Sequence, residues 1–338
     1  MDAQSDNSKQ IENLADSTLS ALTTIAIAAK EKINNPQVGA ASSLVNSQTF
    51  TGANAINRLN ETSQSLRNDY AALTNEPAIA RLIYEDDMGD QHTLYITRSI
   101  GIQGSAGLLV ASAKAPLGRL ASLDVGDSAI IEIAGQNKEF TLLEVALLKP
   151  KQDSEGWDAP HTIYKHEDFG VQTIVSLRQV LQGASLSGDD FDSWLDETDQ
   201  VDNIQTGIVH EIRTAMGLRD QPILDKFQDD IFRLPIDSQL FIAGPPGTGK
   251  TTTLIKRLGQ KLDKQYLTEQ ELRLIDSLVN ETAHEQSWIM FTPTDLLKHY
   301  VKEAFAREQV PASDDHIRTW DKTRRDLARN VLGLLQSG

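Results

Sequence analysis

Eight consecutive residues, Gly244-Pro245-Pro246-Gly247-Thr248-Gly249-Lys250-Thr251, restrict the fold of this chain more than any other feature. They match the phosphate-binding pattern GxxxxGK[ST] in full, and that pattern is expected where a strand turns into a helix. Glycines let the backbone wrap an anion without Cβ clashes, so successive N–H groups and the helix N-terminus converge on it. The flanks read accordingly. Residues 238–243 (SQLFIA) are expected to form a short buried strand, and residues 252–262 a helix with Leu254, Leu258 and Leu262 on one face. The ligand expected is a nucleoside triphosphate with Mg²⁺. Gly244, Pro245, Pro246, Gly247, Thr248, Gly249 and Thr252 would line its phosphates. Lys250 would reach the β and γ phosphates and the Thr251 hydroxyl would join the Mg²⁺ shell, which makes these two the candidate catalytic residues.

Composition narrows the setting. The chain has 338 residues, enough for two or three domains, and no cysteine, which removes disulfides, thiolate nucleophiles and every cysteine-containing zinc or iron–sulfur site. The first residues lack a basic and apolar leader, and no stretch approaches the roughly 18 apolar residues of a membrane span, so a cytoplasmic protein with no membrane partner is expected. The net charge is −16, and it is unevenly placed: residues 1–220 hold 16 Lys and Arg against 31 Asp and Glu, residues 221–338 hold 16 against 17. Phosphate backbones are repelled by the first part and tolerated by the second.

Residues 5–33 place Ile11, Leu14, Leu22, Ile25, Ala29 and Ile33 on one helical face, ended by Asn34-Asn35-Pro36. Ile56, Leu59, Leu66, Tyr70 and Leu73 fit a second helix, so residues 1–76 are expected to form a helical hairpin or coiled coil. An ordinary two-helix element packed on the rest of the protein satisfies the periodicity equally well. From residue 78 the period becomes two, over segments 79–84, 93–98, 107–113, 129–134 and 139–148, each bounded by Gly, Asp or Asn. Residues 77–148 are therefore expected to be a small antiparallel β-rich domain. The succession Pro116-Leu117-Gly118-Arg119, Val125-Gly126-Asp127 and Glu139-Phe140-Thr141-Leu142-Leu143-Glu144-Val145 resembles the C-terminal domain of the GreA/GreB transcript-cleavage factors, which also carry a coiled coil before it. The resemblance implies RNA polymerase as a partner of residues 1–148. Gre factors present carboxylates at the coiled-coil tip, whereas here no Asp or Glu lies between Glu31 and Glu61. An arm without carboxylates would block or prop a polymerase channel without delivering Mg²⁺ for cleavage.

Residues 149–222 read as a linker. They hold Trp157, His161 and His166, a helical pattern over 173–181, and seven carboxylates between Asp189 and Asp202. The acidic run reads as solvated, and the two histidines as surface residues without a third metal ligand.

The region around the phosphate loop is similar to superfamily 1 helicases of the UvrD and HelD type. Gln228, in Leu224-Asp225-Lys226-Phe227-Gln228, stands where those proteins carry the glutamine that reads adenine, which implies ATP. Trp288-Ile289-Met290-Phe291-Thr292-Pro293-Thr294 resembles their next core strand with motif Ia, and His316-Ile317-Arg318-Thr319-Trp320 resembles motif Ib. Thr292, Pro293, Thr294, Thr319 and Trp320 are the implied nucleic-acid contacts, with DNA favoured over RNA. On packing grounds, Trp288 and Trp320 are expected in the core. Lys298, Lys302, Arg307, Arg318, Lys322, Arg324, Arg325 and Arg329 supply a local basic surface.

A Walker B carboxylate pair is missing after Lys250, as are the later helicase motifs, so residues 223–338 are expected to be an incomplete RecA-like parallel-sheet domain of a longer helicase or translocase acting with RNA polymerase. As it stands, the chain would bind ATP and hydrolyse little. The competing expectations are a polymerase-binding regulatory module with a non-hydrolysing phosphate loop, a repair or defence helicase without a link to polymerase, and an AAA+ machine. The expected fold class is multidomain, α+β followed by α/β.

Overall fold

The computed structural model describes residues 2–34, 64, 66–102, 107–133, 135–184, 222–277, 284, 287–308, 310 and 312–334. It is mixed α/β and divides into two units, Met1–Met216 and Gly217–Gly338. The acidic run, most of the second arm helix and the turn between the arm helices lie outside the described residues. No helix among the described residues is long and apolar enough to cross a membrane.

In the first unit, helix α1 (Asp2–Asn34) ends where the Asn-Asn-Pro stop places it. Ile11, Leu14, Ala15, Thr18, Leu22, Ile25 and Ala29 are buried along one side, as a 3.6-residue period requires. That side does not form a free-standing coiled coil. It shares one core with Leu73 of helix α2 (66–75), with Leu177 and Val180 of helix α3 (Leu177–Ala184), and with Tyr95, Ala146 and Tyr164 of a sheet. The Tyr95 hydroxyl donates to the Ser17 carbonyl at 3.1 Å, tying sheet to helix. The ordinary packed element is thus what these described residues form. A 33-residue helix with a continuous apolar face gains more by covering a sheet than by meeting one narrow seam.

The sheet has seven strands in the order β3-β2-β1-β5-β8-β9, with β4 also on β5. They are β1 (Ala80–Asp86), β2 (Gln91–Thr97), β3 (Leu109–Ser112), β4 (Ser128–Ile133), β5 (Gln136–Leu147), β8 (Thr162–His166) and β9 (Gly170–Ile174). The five segments expected as strands are all present, but the sheet is mixed, because β2 and β3 pair in parallel. β5 is the spine. One of its edges pairs β1, and the other pairs β4 through residues 136–141 and β8 through residues 144–147, which is why it needs 12 residues. Alternation separates two cores. Arg81, Tyr95, Ala146 and Tyr164 are register partners on the α1 side. Leu82, Leu94 and Val145 are partners on the other, where a 3₁₀ helix (Pro116–Ser122) brings in buried Leu120. A Cβ on Gly118 of that helix would lie 2.5 Å from the Ala113 carbonyl oxygen, so glycine is required there.

Residues 149–184 are therefore not linker. A hairpin, β6 (Lys151–Asp153) and β7 (Gly156–Asp158), precedes β8 and β9, and the helix expected over 173–181 begins only after β9. Asp158 fixes this arrangement by accepting from the N–H groups of Ala159 and Arg178 and from the Ser176 hydroxyl. Arg178 then reaches Asp153, Glu155 and the Gly156 carbonyl. These strands are three to five residues long, too short for a period of two to stand out in the sequence. Their turns nevertheless carry glycine at positive φ, Gly156 and Gly170.

The second unit contains helix α4 (Lys226–Arg233), helix α5 (Lys250–Leu262), helix α6 (Glu269–Ser277), strand β10 (Met290–Thr292), helix α7 (Asp295–Arg307), strand β11 (Ile317–Thr319) and helix α8 (Trp320–Asp326). β10 and β11 are parallel, Met290 opposite Ile317 and Thr292 opposite Thr319, with α7 as the crossover between them. Ile255, Val301, Ala304, Phe305, Val310 and Ile317 make the core.

If α1 is integral to the first unit, Leu22→Ala should cost about 3 kcal/mol of its stability, as a fully buried leucine does. Hydrogen exchange of the β1 and β5 amides in urea measures it, and a loss below about 1 kcal/mol would show a separable arm.

Candidate nucleotide-binding site

The eight-residue loop ends on α5, whose N-cap is Gly249 with φ +76° and no side chain closing the helix end. Gly247 also has positive φ, +83°. Both are backbone positions that L side chains avoid, so the motif's glycines are demanded by the shape of the loop. A Cβ on Gly244 would come within 3.3 Å of the Thr248 hydroxyl and 4.0 Å of Lys250 Nζ, into the hollow that the loop encloses. Lys250 Nζ points back into that hollow and donates to the carbonyls of Gly244 (2.7 Å) and Pro245 (2.5 Å). The Thr248 hydroxyl also donates to the Pro245 carbonyl, at 3.0 Å. Thr251 and Thr252 occupy the first turn of α5, where free N–H groups and the helix dipole favour an anion. The Lys250 ammonium and the first-turn N–H groups of α5 could take a polyphosphate once Lys250 leaves the Gly244 and Pro245 carbonyls that hold it here.

Gln228 is brought to the same place. Asp225 caps α4 by accepting from the Gln228 N–H (2.9 Å), and Gln228 Oε1 accepts from the Asp225 N–H (3.2 Å). The Gln228 Nε2 group donates to the Thr248 carbonyl of the phosphate loop at 3.2 Å. A side chain 20 positions earlier in sequence thus touches the loop directly.

The strand expected before the loop is absent. Residues 238–243 make no ladder, and Leu240 and Phe241 are 38% and 96% exposed. An apolar segment becomes a strand only beside a partner, and β10 and β11 pair with each other without supplying one. Leu254 is likewise exposed, because α5 turns other residues inward: Thr253, Ile255, Lys256, Arg257, Gly259, Gln260 and Lys261. No local pattern in the sequence marks the cations buried there as interior residues, and their partners explain them. Lys256 pairs with Glu308 at 2.9 Å and Lys261 with Glu271 at 2.7 Å. Arg257 donates to the carbonyls of Ile231, Phe232, Leu234 and Pro235. Glu271 also accepts from the N–H groups of Ile236 and Thr268. Burial raises its pKa, but those donors and the Lys261 ammonium outweigh burial and hold it below the usual carboxylate range. The buried carboxylates Asp229 and Glu271 and the largely buried Glu308 are each engaged by a cation.

Of the implied nucleic-acid contacts, Pro293, Thr294 and Trp320 reach the surface where β10 and β11 end, and Thr292 and Thr319 are turned inward. The Thr292 hydroxyl is used internally on the Thr294 carbonyl, and Thr294 caps α7 by accepting from the Leu297 N–H. Trp288 is partly buried and packs against the core, its ring stacked on those of Phe305 and His316 at 5.1 and 4.8 Å. Trp320 is not; it is 50% exposed and meets Phe291 edge-on at 5.3 Å. Alternation along β10 places Phe291 on the outer side, a signal present in the sequence. The basic surface is smaller than its residue count. Lys298 and Lys302 both close on Asp314, and Arg324 on Asp321. In the first unit, His166 is mostly buried, 3.9 Å from Glu144, whereas His161 is exposed. Among the described residues no group of three His, Asp or Glu side chains could hold a metal.

No protein-family model matches this chain, and no curated protein matches it.

Glu271→Ala should lower the stability of the second unit by about 3 kcal/mol, because Lys261 is left buried without its partner; urea denaturation reads this. Hydrogen bonds from Lys298 and Lys302 depress the Asp314 carboxyl to about 2. A depressed carboxyl stabilises the fold above its unfolded value of about 3.9 and loses that contribution as pH falls toward 2. NMR titration of the Asp314 carboxyl should find its midpoint near 2, and Asn at this position should remove the corresponding pH dependence.

Proposed function

We propose that the second unit binds ATP, and that the chain is the ATP-binding part of a superfamily 1 helicase or translocase of the UvrD/HelD type. The observation that carries the reading is the loop Gly244–Thr251 itself, a cradle of glycines at positive φ with Lys250 Nζ folded into its hollow. In the bound state that ammonium would leave the Gly244 and Pro245 carbonyls for the β and γ phosphate oxygens, a charge-assisted exchange that favours the ligand. Gln228, already against the loop, would present its amide to the adenine edge, and the Thr251 hydroxyl would meet Mg²⁺.

Nucleic acid would lie across the carboxyl ends of β10 and β11, where open parallel sheets bind ligands. Trp320 and Phe291 offer faces for base stacking, and exposed Arg318, Lys322 and Arg325 offer phosphate contacts. A single strand, DNA before RNA, is the expected track. Turnover would need a Walker B carboxylate, which neither the sequence after Lys250 nor the paired buried carboxylates supply, so this chain would bind ATP and hydrolyse little. The Gre-like succession in residues 116–145 supports docking of the first unit on RNA polymerase, in a cytoplasmic setting.

Lys250→Ala should abolish binding of Mg²⁺-ATP measured by calorimetry while leaving the thermal melt unchanged; undiminished affinity would place the nucleotide elsewhere. Trp320→Ala should weaken single-stranded DNA binding by about 1 to 3 kcal/mol in fluorescence anisotropy. For the polymerase partner, residues 1–216 should retain the enzyme in a pull-down, and failure to do so would leave the repair or defence reading.

A further inference from the structure

We infer that Arg257 is a positioning residue for the base of the bound nucleotide: it fixes helix α4, and with it Gln228, relative to the phosphate cradle, so that the site selects a nucleoside triphosphate over bare polyphosphate. The inference rests on the nucleotide reading given above and extends it to a residue outside the phosphate-binding motif.

Arg257 lies seven positions after Lys250 on the same helix, two turns or about 10 Å along the axis. It is 7% exposed and points away from the loop, so it has no route to the phosphates. Among the described residues its donated bonds go to the end of α4 and the chain just beyond it. Nη1 donates to Ile231 (3.1 Å), Phe232 (3.3 Å) and Leu234 carbonyls, and Nη2 to that of Pro235 at 2.6 Å. These carbonyls include the ones a helix leaves unsatisfied at its C-terminus, where a cation is also favoured by the dipole. The other end of α4 is held by the phosphate loop itself, through the Gln228 amide on the Thr248 carbonyl. Helix α4 is therefore clamped at both ends by one continuous element, the loop and α5. Glu271 completes the clamp by accepting the next N–H group, that of Ile236. A planar guanidinium can address several carbonyls at once from a fixed direction, and a lysine ammonium cannot reproduce that fork. Loosening Arg257 should let Gln228 drift from the base while the cradle, built on loop glycines and Lys250, keeps its shape.

Calorimetry on the full chain with two probes, Mg²⁺-ATP and Mg²⁺-tripolyphosphate, tests this. Wild type should bind ATP more tightly than tripolyphosphate. Arg257→Met should lose about ten-fold in ATP affinity and less than two-fold in tripolyphosphate affinity, and Arg257→Lys should fall between. Adding Gln228→Ala to Arg257→Met should cost less than two-fold more, since both act through one contact. Equal losses for the two probes, an unchanged ATP affinity, or additive losses in the double variant would overturn the inference. Should Arg257→Met fail to fold by circular dichroism, the Arg257→Lys and Arg257→Gln variants carry the same comparison with the same outcomes. A wild type that binds neither probe overturns the nucleotide reading and the inference together. A wild type that binds both equally leaves the cradle standing and refutes the role of the base.

Discussion

A charged side chain buried in a protein must find partners, and in the second unit the search for partners sets the architecture. Helix α5 buries Lys256, Arg257 and Lys261. Water is excluded from all three, so each cation must draw in whatever carbonyl or carboxylate the chain can bring. Lys256 takes Glu308 beyond α7, Lys261 takes Glu271 of α6, and Arg257 takes the carbonyls around the end of α4. The helix that begins at the phosphate loop is thereby the post to which the neighbouring elements are tied. The position of α4 is set by contacts from the same helix that carries Lys250 at its start.

The first unit depends on a different constraint, the reach of one strand. β5 pairs with β1 on one edge and with β4 and then β8 on the other, so a single 12-residue segment aligns most of the sheet. Because side chains alternate, β5 also divides the interior, sending Val145 to one core and Ala146 to the other. Helix α1 covers the Ala146 side along with Tyr95 and Tyr164. Its long apolar face makes it part of this unit, whatever the segment that follows it does.

Much of this was legible in the amino-acid order because the signals are local. The helix over residues 2–34, five strands between 80 and 147, and the loop ending at Thr251 each follow from periodicity, turn residues or a motif whose glycines have a steric reason. Elements that depend on distant partners were not legible. Residues 238–243 have the composition of a buried strand but meet no ladder, so composition alone misleads there. The segment 149–184 is held by Asp158 and Arg178 reaching across more than 15 positions, a pattern invisible to local periodicity. The burial of Arg257 depends on the carbonyls around the end of α4, which no local pattern in the sequence sets beside it. At the candidate site the residues of the loop and Gln228 are brought together as expected, whereas Thr292 and Thr319 face inward and Phe291 takes a surface place beside Trp320.

The central claim is that phosphate is held by the backbone of the loop and the first turn of α5. Amide ¹H–¹⁵N shifts recorded while Mg²⁺-ATP is added report that backbone directly. Saturable shifts are expected, largest at Gly247, Gly249, Lys250 and Thr251, with a second, smaller set around Gln228. Shifts centred elsewhere, or none at millimolar nucleotide, would contradict it.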